Sequence, residues 1–311
     1  MPSWPRAFWG RLSFQRKEEI AGYLFILPWL IGFVVFQLGA ILTALAMSLL
    51  KADFLSPARF VGLRNYAKLL DDDTFFKALG NTVVYALGRM PFVLVIGLAI
   101  ALLLNRDRWG VRGLRTLYFL PSVTSGVAVA LLWIWIFNPD YGLINAGLGL
   151  IGVAGPNWLY SEEWALPSLI IVSLWGVGNS MLIYLAGLRS VPVELYEAAS
   201  LDGAGTLRRF FAITLPMLTP TLFYTLVTGI IASYQVFLNA YIITSGGPNN
   251  ATLTMVLYVY RKAFQEFDMG YASAVAWVLF LIILAFTLLI FRSSSAWVYY
   301  EGGLRPTGRR A

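Results

Sequence analysis

Hydrophobic positions along this chain do not alternate with polar ones at the period of a strand. They gather into six long apolar runs, near residues 21–50, 79–104, 114–137, 165–188, 216–242 and 271–291. About 20 helical residues cross the roughly 30 Å of a bilayer's hydrocarbon. Lipid offers no hydrogen bonds, so a crossing backbone must satisfy itself, and each run predicts a transmembrane α-helix. The expected fold class is all-α, a polytopic membrane protein with six transmembrane helices. Residues 1–20 are expected to form a cytoplasmic segment, and 21–78 the first helix with an extracytoplasmic loop. Residues 79–292 form a five-helix core with a cytoplasmic loop at 190–216, and 293–311 a cytoplasmic tail. The first run follows basic residues, and Ala44-Leu45-Ala46 resembles a signal-peptide cleavage site. That run is about twice the usual signal-peptide core of about 7–15 residues, which predicts a retained helix.

Orientation follows from the basic residues. With the N-terminus taken as cytoplasmic, fifteen Lys and Arg fall on inner segments, among them Arg6, Arg11, Arg106, Arg108, Arg208, Arg209, Arg305, Arg309 and Arg310, against seven on outer ones. Lys and Arg are retained on the cytoplasmic side, so both termini are expected inside. The loop 51–78 is the dissenting segment. Its run Asp71-Asp72-Asp73 and its Gly and Pro content suggest a small folded cap outside the membrane.

Composition narrows the chemistry. Of 311 residues 59% are hydrophobic and 13% charged, against about 25% charged in soluble domains. Eleven Trp and 16 Tyr suit two interfacial belts. With no Cys, disulfides, thiolate metal sites and Cys nucleophiles are excluded, and with no His the commonest general base and zinc ligand are missing. The net charge of +7 fits nucleic acid in principle, but the basic residues lie between apolar runs and read as topology signals. Nucleic acid is not an expected partner; membrane lipid is.

Apart from Arg89, the span interiors hold no Asp, Glu, Lys or Arg. Ion- and proton-driven carriers depend on such groups at membrane depth. None of the five lysines follows a glycine, so no G-x-x-x-x-G-K-[ST] loop can cradle ATP phosphates. No enzyme is expected, no cofactor in this chain, and any energy must come from a partner.

Two polar patterns remain. Thr221, Thr225, Thr228, Gln235 and Asn239 share one helical face if the fifth run is a continuous helix. They either bind neighbouring helices or line a pathway; neutral amides and hydroxyls match the hydroxyls of a polyol. In the fourth run, Trp175-Gly176-Val177-Gly178-Asn179-Ser180 puts two glycines and an amide near mid-span, which permits a bend or close packing. Arg89 must meet backbone carbonyls, water or a partner, since no carboxylate of these spans can pair with it.

The loop between the fourth and fifth runs predicts a short helix starting at Ser190–Pro192, a stop at Asp202-Gly203, and a second helix capped by Thr206. Its small residues either form an ordinary connector or admit another protein's backbone closely. Glu197-Ala198-Ala199, Gly203 and Ile213-x-Leu215-Pro216 resemble the EAA loop of binding-protein-dependent ABC importer permeases. Phe60-Val61-Gly62-Leu63-x-Asn65-Tyr66, Leu120-Pro121, Asn138-Pro139-x-Tyr141-Gly142-x-Ile144-Asn145 and Thr244-Ser245-Gly246-Gly247-Pro248 extend the likeness to the maltose-type, carbohydrate-uptake branch. The resemblance implies a type I importer fold and uptake of sugars by alternating access. It implies four kinds of contact: a second homologous permease, two ABC ATPase subunits, an extracytoplasmic sugar-binding protein and lipid. Glu197, Ala198, Ala199, Asp202 and Gly203 would couple to the ATPase. By that resemblance Ser122, Asn179 and Ser233 would line the substrate pathway, to which the polar stripe adds Gln235 and Asn239, with Arg89 as a candidate pathway charge. Where many relatives carry Asp near the end of the fifth span, this chain has Leu238. Rival readings are a permease for another solute such as glycerol-3-phosphate, and a non-transporting membrane scaffold.

Overall fold

A computed structural model describes residues 13–53, 57–106 and 108–299. The basic residues Arg6, Arg11, Arg305, Arg309 and Arg310 lie outside the described residues, as does most of the tail 293–311. The first helix, α1, runs over Phe14–Ser48 with a π-helical stretch at Phe33–Leu38, and so starts before the expected 21. Its last part, Gly39–Ser48, packs against the C-terminal helix, while Tyr23, Phe25 and Trp29 stay exposed in this chain.

A small folded cap follows α1. Strands β1 (Leu50–Lys51) and β2 (Arg59–Phe60) pair antiparallel, and α2 spans Arg64–Leu70. Asn65 closes the hairpin by donating to the carbonyls of Ser48 at 2.8 Å and Leu50 at 2.9 Å. Helix α3 (Asp73–Leu104) is one unbroken span, and Asp72 caps it by accepting from the backbone N–H of Thr74 and Phe75.

The third run is not one straight helix. It is α4 (Val111–Val123) and α5 (Gly126–Ile136), which meet at 97° across Thr124-Ser125. Pro121 near the end of α4 and Gly126 at the start of α5 weaken the helix there. Helix α6 (Leu143–Leu150) lies in the following loop. The fourth run bends where its glycines predict it, with α7 (Glu162–Leu174) and α8 (Gly178–Ser190) at 46°. Helix α9 (Val193–Leu201) precedes α10 (Thr206–Tyr234), which passes through a π-helical stretch at Phe210–Thr214. Hydropathy predicts a fifth helix reaching residue 242, but α10 ends at Tyr234, and a π-helical turn, Ala240–Thr244, resumes after a break. Helix α11 (Met255–Tyr260) and α12 (Met269–Trp297) complete the described residues. Among the described residues there are thus four unbroken helices long and apolar enough to span, and six spans if each bent pair counts as one.

Two apolar clusters form the core, each reaching one end of the bundle. One joins Leu69, Phe75, Trp158, Leu159, Tyr258 and Tyr271, bringing the loops after α1, α5 and α10 together. The other joins Ala101 and Leu104 of α3 to Leu185 and Leu188 of α8 and Leu218 of α10. The arginine-rich turn after α3 and the 190–216 loop therefore share the opposite end, as alternating spans require.

Candidate functional site

At that second end, Gly203 terminates α9 in the left-handed region at φ +74°. The N–H of Ala204 donates to the carbonyl of Ala199 at 2.8 Å and that of Gly203 to Ser200 at 3.1 Å, the paired bonds of a Schellman motif. The stop at Asp202-Gly203 is thus as the sequence predicts. The starts differ: Pro192 and Gly205 occupy the cap positions of α9 and α10. Ser190 instead ends α8 and bonds back to Gly187. One side of α9 is tied down, by Tyr196 to Thr214 at 2.9 Å and by Arg209 donating to Ser200 at 2.9 Å. The other side leaves Glu197, Ala198, Asp202 and Gly203 exposed, with Ala199 half-buried and Leu201 90% exposed. A small-residue surface with one projecting apolar side chain is the result.

The two helix breaks meet in mid-bundle. A cavity of about 460 Å³ is lined there by Ser122, Thr124, Ser173, Trp175, Asn179 and Asn239, among others. Ser122 donates to the carbonyl of Gly176 at 3.4 Å, linking the end of α4 to the bend between α7 and α8. Gly178 makes the contact possible, because a methyl group there would collide with the carbonyl oxygen of Tyr118. Trp175 forms the wall and meets Trp133 edge-on at 5.7 Å between centroids. Leu238 packs on Gly126, where an added methyl would meet its Cδ2. Ser122 and Asn179 are exposed, so the cavity opens at the surface of this chain.

Of the five expected pathway residues, the structure brings Ser122, Asn179 and Asn239 to this cavity and leaves Ser233 and Gln235 off its lining. The single-face stripe fails because α10 stops before Gln235. Two of its threonines turn back on their own helix, Thr225 to Thr221 at 3.0 Å and Thr228 to Tyr224 at 2.8 Å, which satisfies their hydroxyls without a ligand. Ser173 and Thr124 also line the cavity and do not stand out in the sequence. A hydroxyl in an apolar run carries no signal of its own until the breaks are placed.

Arg89 is accounted for within the chain. Its Nη1 donates to the Ser233 hydroxyl at 2.9 Å and to the Gly229 carbonyl at 3.4 Å, joining α3 to α10. Ser233 in turn donates to Gly229 at 2.7 Å. The backbone and hydroxyl thus carry part of the cost of a cation at that depth.

At the first end a polar knot holds the cap. Asp72 accepts from the hydroxyls of Tyr258 and Tyr271, the latter at 2.5 Å. Lys68 pairs with Asp268 at 3.1 Å and lies 4.2 Å from the Tyr271 ring centroid. Burial pushes the Asp72 carboxyl up, but the hydrogen bonds from Tyr258, Tyr271, Phe75 and Thr74 outweigh it and hold the group below its ordinary range. Burial, then the bond to Asp72, pushes the Tyr258 hydroxyl up.

Long apolar helices with charged loops at both ends, two of them broken around a polar cavity, define a multi-pass membrane protein. Residues 93–296 match the family described as binding-protein-dependent transport system inner membrane component, and the chain belongs to that family. It is 43% identical over 291 residues to the probable ABC transporter permease protein YesP of Bacillus subtilis, covering 92% of this chain and 94% of that one. It is 35% identical over 288 residues to the lactose transport system permease protein LacF of Rhizobium radiobacter, covering 90% and 96%. Its fold matches a chain in the crystal structure of a bacterial ABC transporter involved in the import of the acidic polysaccharide alginate, with a TM-score of 0.79 and 25% identity over 90% of this chain and 96% of that one.

Proposed function

We propose that this permease chain carries sugars, in the di- to oligosaccharide range, through the cavity at its two helix breaks by alternating access. The observation that carries the reading is the convergence of Ser122, Asn179 and Asn239 with the Trp175 ring in one open cavity. Neutral amides and hydroxyls exchange hydrogen bonds with sugar hydroxyls, and an indole face suits the apolar face of a pyranose. A relative named for lactose and a fold match titled for alginate import support a carbohydrate substrate.

The cavity is half a site in this reading, closed by a second homologous permease. A binding protein delivers the sugar to the end formed by the cap and the 138–164 and 245–268 loops. ATP is hydrolysed on two separate ABC ATPase subunits, which engage Glu197, Ala198, Ala199, Asp202 and Gly203 on the exposed side of α9. The arginine-rich end faces the cytoplasm, with segments 1–20 and 293–311 on that side and the loop within 21–78 outside. Arg89 and Ser233 act as a brace between α3 and α10 rather than as a phosphate reader, because the guanidinium already donates to two acceptors of this chain.

The test is uptake by proteoliposomes that hold the complete complex, its binding protein and internal ATP. ATP-dependent accumulation of labelled neutral oligosaccharides, with none of glycerol-3-phosphate, is expected. Accumulation of glycerol-3-phosphate alone would reject the sugar reading, and an assembled complex that moves no solute would leave the scaffold.

A further inference from the structure

We propose that the turn joining α3 to α4 is a binding site for the phosphate headgroup of an anionic phospholipid. Arg106, Arg108, Arg112 and Arg115 surround a cavity of about 490 Å³ together with Trp109 and Gly110. With Asp107 included, the turn carries a net charge of +3 within eleven residues, 105–115. Among the described residues no carboxylate pairs with Arg106, Arg108 or Arg112. Arg115 serves the architecture instead. It donates to the carbonyl of Leu104 through Nε at 3.1 Å and Nη2 at 2.7 Å, fixing the C-terminal turn of α3 and the floor of the cavity. Gly110, at φ +88°, turns the chain so that Arg106, Arg108 and Arg112 line one space.

Depth and surroundings select a lipid over a free anion. The apolar span α3 ends at Leu104, and the first of these arginines comes two residues later, at headgroup level. Trp109 is fully exposed beside the cavity, as an indole seated in the interface would be. Leu103, Leu114 and Leu117 are 73%, 45% and 60% exposed on the flanking helices, giving acyl chains an apolar wall beside the basic pocket. A soluble anion would use the arginines and ignore this wall. Basic pockets at the cytoplasmic ends of spans suit anionic headgroups, each arginine near the surface contributing about a five-fold preference. The inference needs only that α3 crosses a bilayer, and it stands or falls independently of the sugar reading.

The experiment uses the assembled complex in nanodiscs that contain acyl-brominated phosphatidylglycerol or phosphatidylcholine at equal bromine content. The part of the fluorescence due to Trp109 is the difference between the native chain and Trp109→Phe. Stronger quenching of that part by the anionic phosphatidylglycerol is expected, and Arg106→Gln with Arg108→Gln and Arg112→Gln should lower the preference at least about five-fold. If the triple variant does not assemble, Arg108→Gln alone should lower it measurably. Equal quenching by both lipids in the native chain would overturn the proposal, as would a preference untouched by the arginine changes. Loss of the preference on adding millimolar inorganic phosphate would assign the site to a free anion and also overturn it.

Discussion

Gly203 offers the sharpest test of how α9 is held for a partner. Its φ of +74° lies in the left-handed region, and a side chain there would meet nothing within 4 Å. Substitution is therefore opposed by the backbone alone. An ordinary L-residue in that conformation costs about 1–2 kcal/mol, with β-branched residues at the upper end and asparagine below it. If Val relieves that cost by abandoning the turn, the bonds from Ala204 to Ala199 and from Gly203 to Ser200 are lost and Leu201 swings away from its position. A penalty of about 1–2 kcal/mol on the docking conformation corresponds to about five- to thirty-fold in its population. Gly203→Val should lower solute-stimulated ATPase activity of the reconstituted complex by about that factor while leaving membrane insertion intact. Gly203→Asn should stay within about three-fold of wild type, since asparagine tolerates the left-handed region. Wild-type coupling in Gly203→Val would refute the docking assignment. Equal loss in both variants would refute the backbone argument and point to a steric clash with the partner instead.

Other expectations follow from the same geometry. A cysteine at Asn157 should react with an impermeant reagent from outside and one at Thr206 only after permeabilisation, with no native Cys as background; the reverse pattern would invert the topology. Asn239→Leu should slow uptake per assembled complex about five- to hundred-fold, from the roughly 1–3 kcal/mol lost when a sugar hydroxyl goes unpartnered, whereas Gln235→Leu should do much less. Arg89→Gln should lower the complex's melting temperature before it alters selectivity, because the bond to Ser233 is structural. Asp72 contributes stability above its unfolded pKa of about 3.9 that is lost as pH falls through its lower folded value. Asp72→Asn should therefore flatten the acid limb of the stability profile below about pH 4 and cost roughly 1–2 kcal/mol at neutral pH, read as a melting shift.

Length and hydropathy made the six apolar runs and the paired loop ends legible, because lipid permits few alternatives. Gly203 was legible because a Schellman stop needs a residue that accepts positive φ. The bend at Trp175–Val177 was legible from its glycines, but the 97° turn at Thr124-Ser125 was not. Pro121 and Gly126 sit inside an otherwise unbroken apolar run, and hydropathy averages over both. The same averaging carries the fifth helix past Tyr234 and joins Gln235 and Asn239 to threonines whose helix has already ended. Several stretches behind the family resemblance prove architectural. Asn65 closes the hairpin, and Asn145 accepts from the Trp158 indole at 2.7 Å. Thr244 bonds to Thr252 at 2.6 Å. They announce the fold more than the substrate.

The central claim, that sugar passes the cavity between the two breaks, is open to one direct measurement. Asn179→Cys places the chain's sole thiol in that cavity, and its rate of modification by a small impermeant reagent can be followed in the working complex with and without the transported sugar and its binding protein. Slower labelling in the presence of the transported sugar, with no slowing by a sugar that the complex does not transport, is the result expected. Equal labelling rates in a complex that still accumulates sugar would mean the solute passes elsewhere.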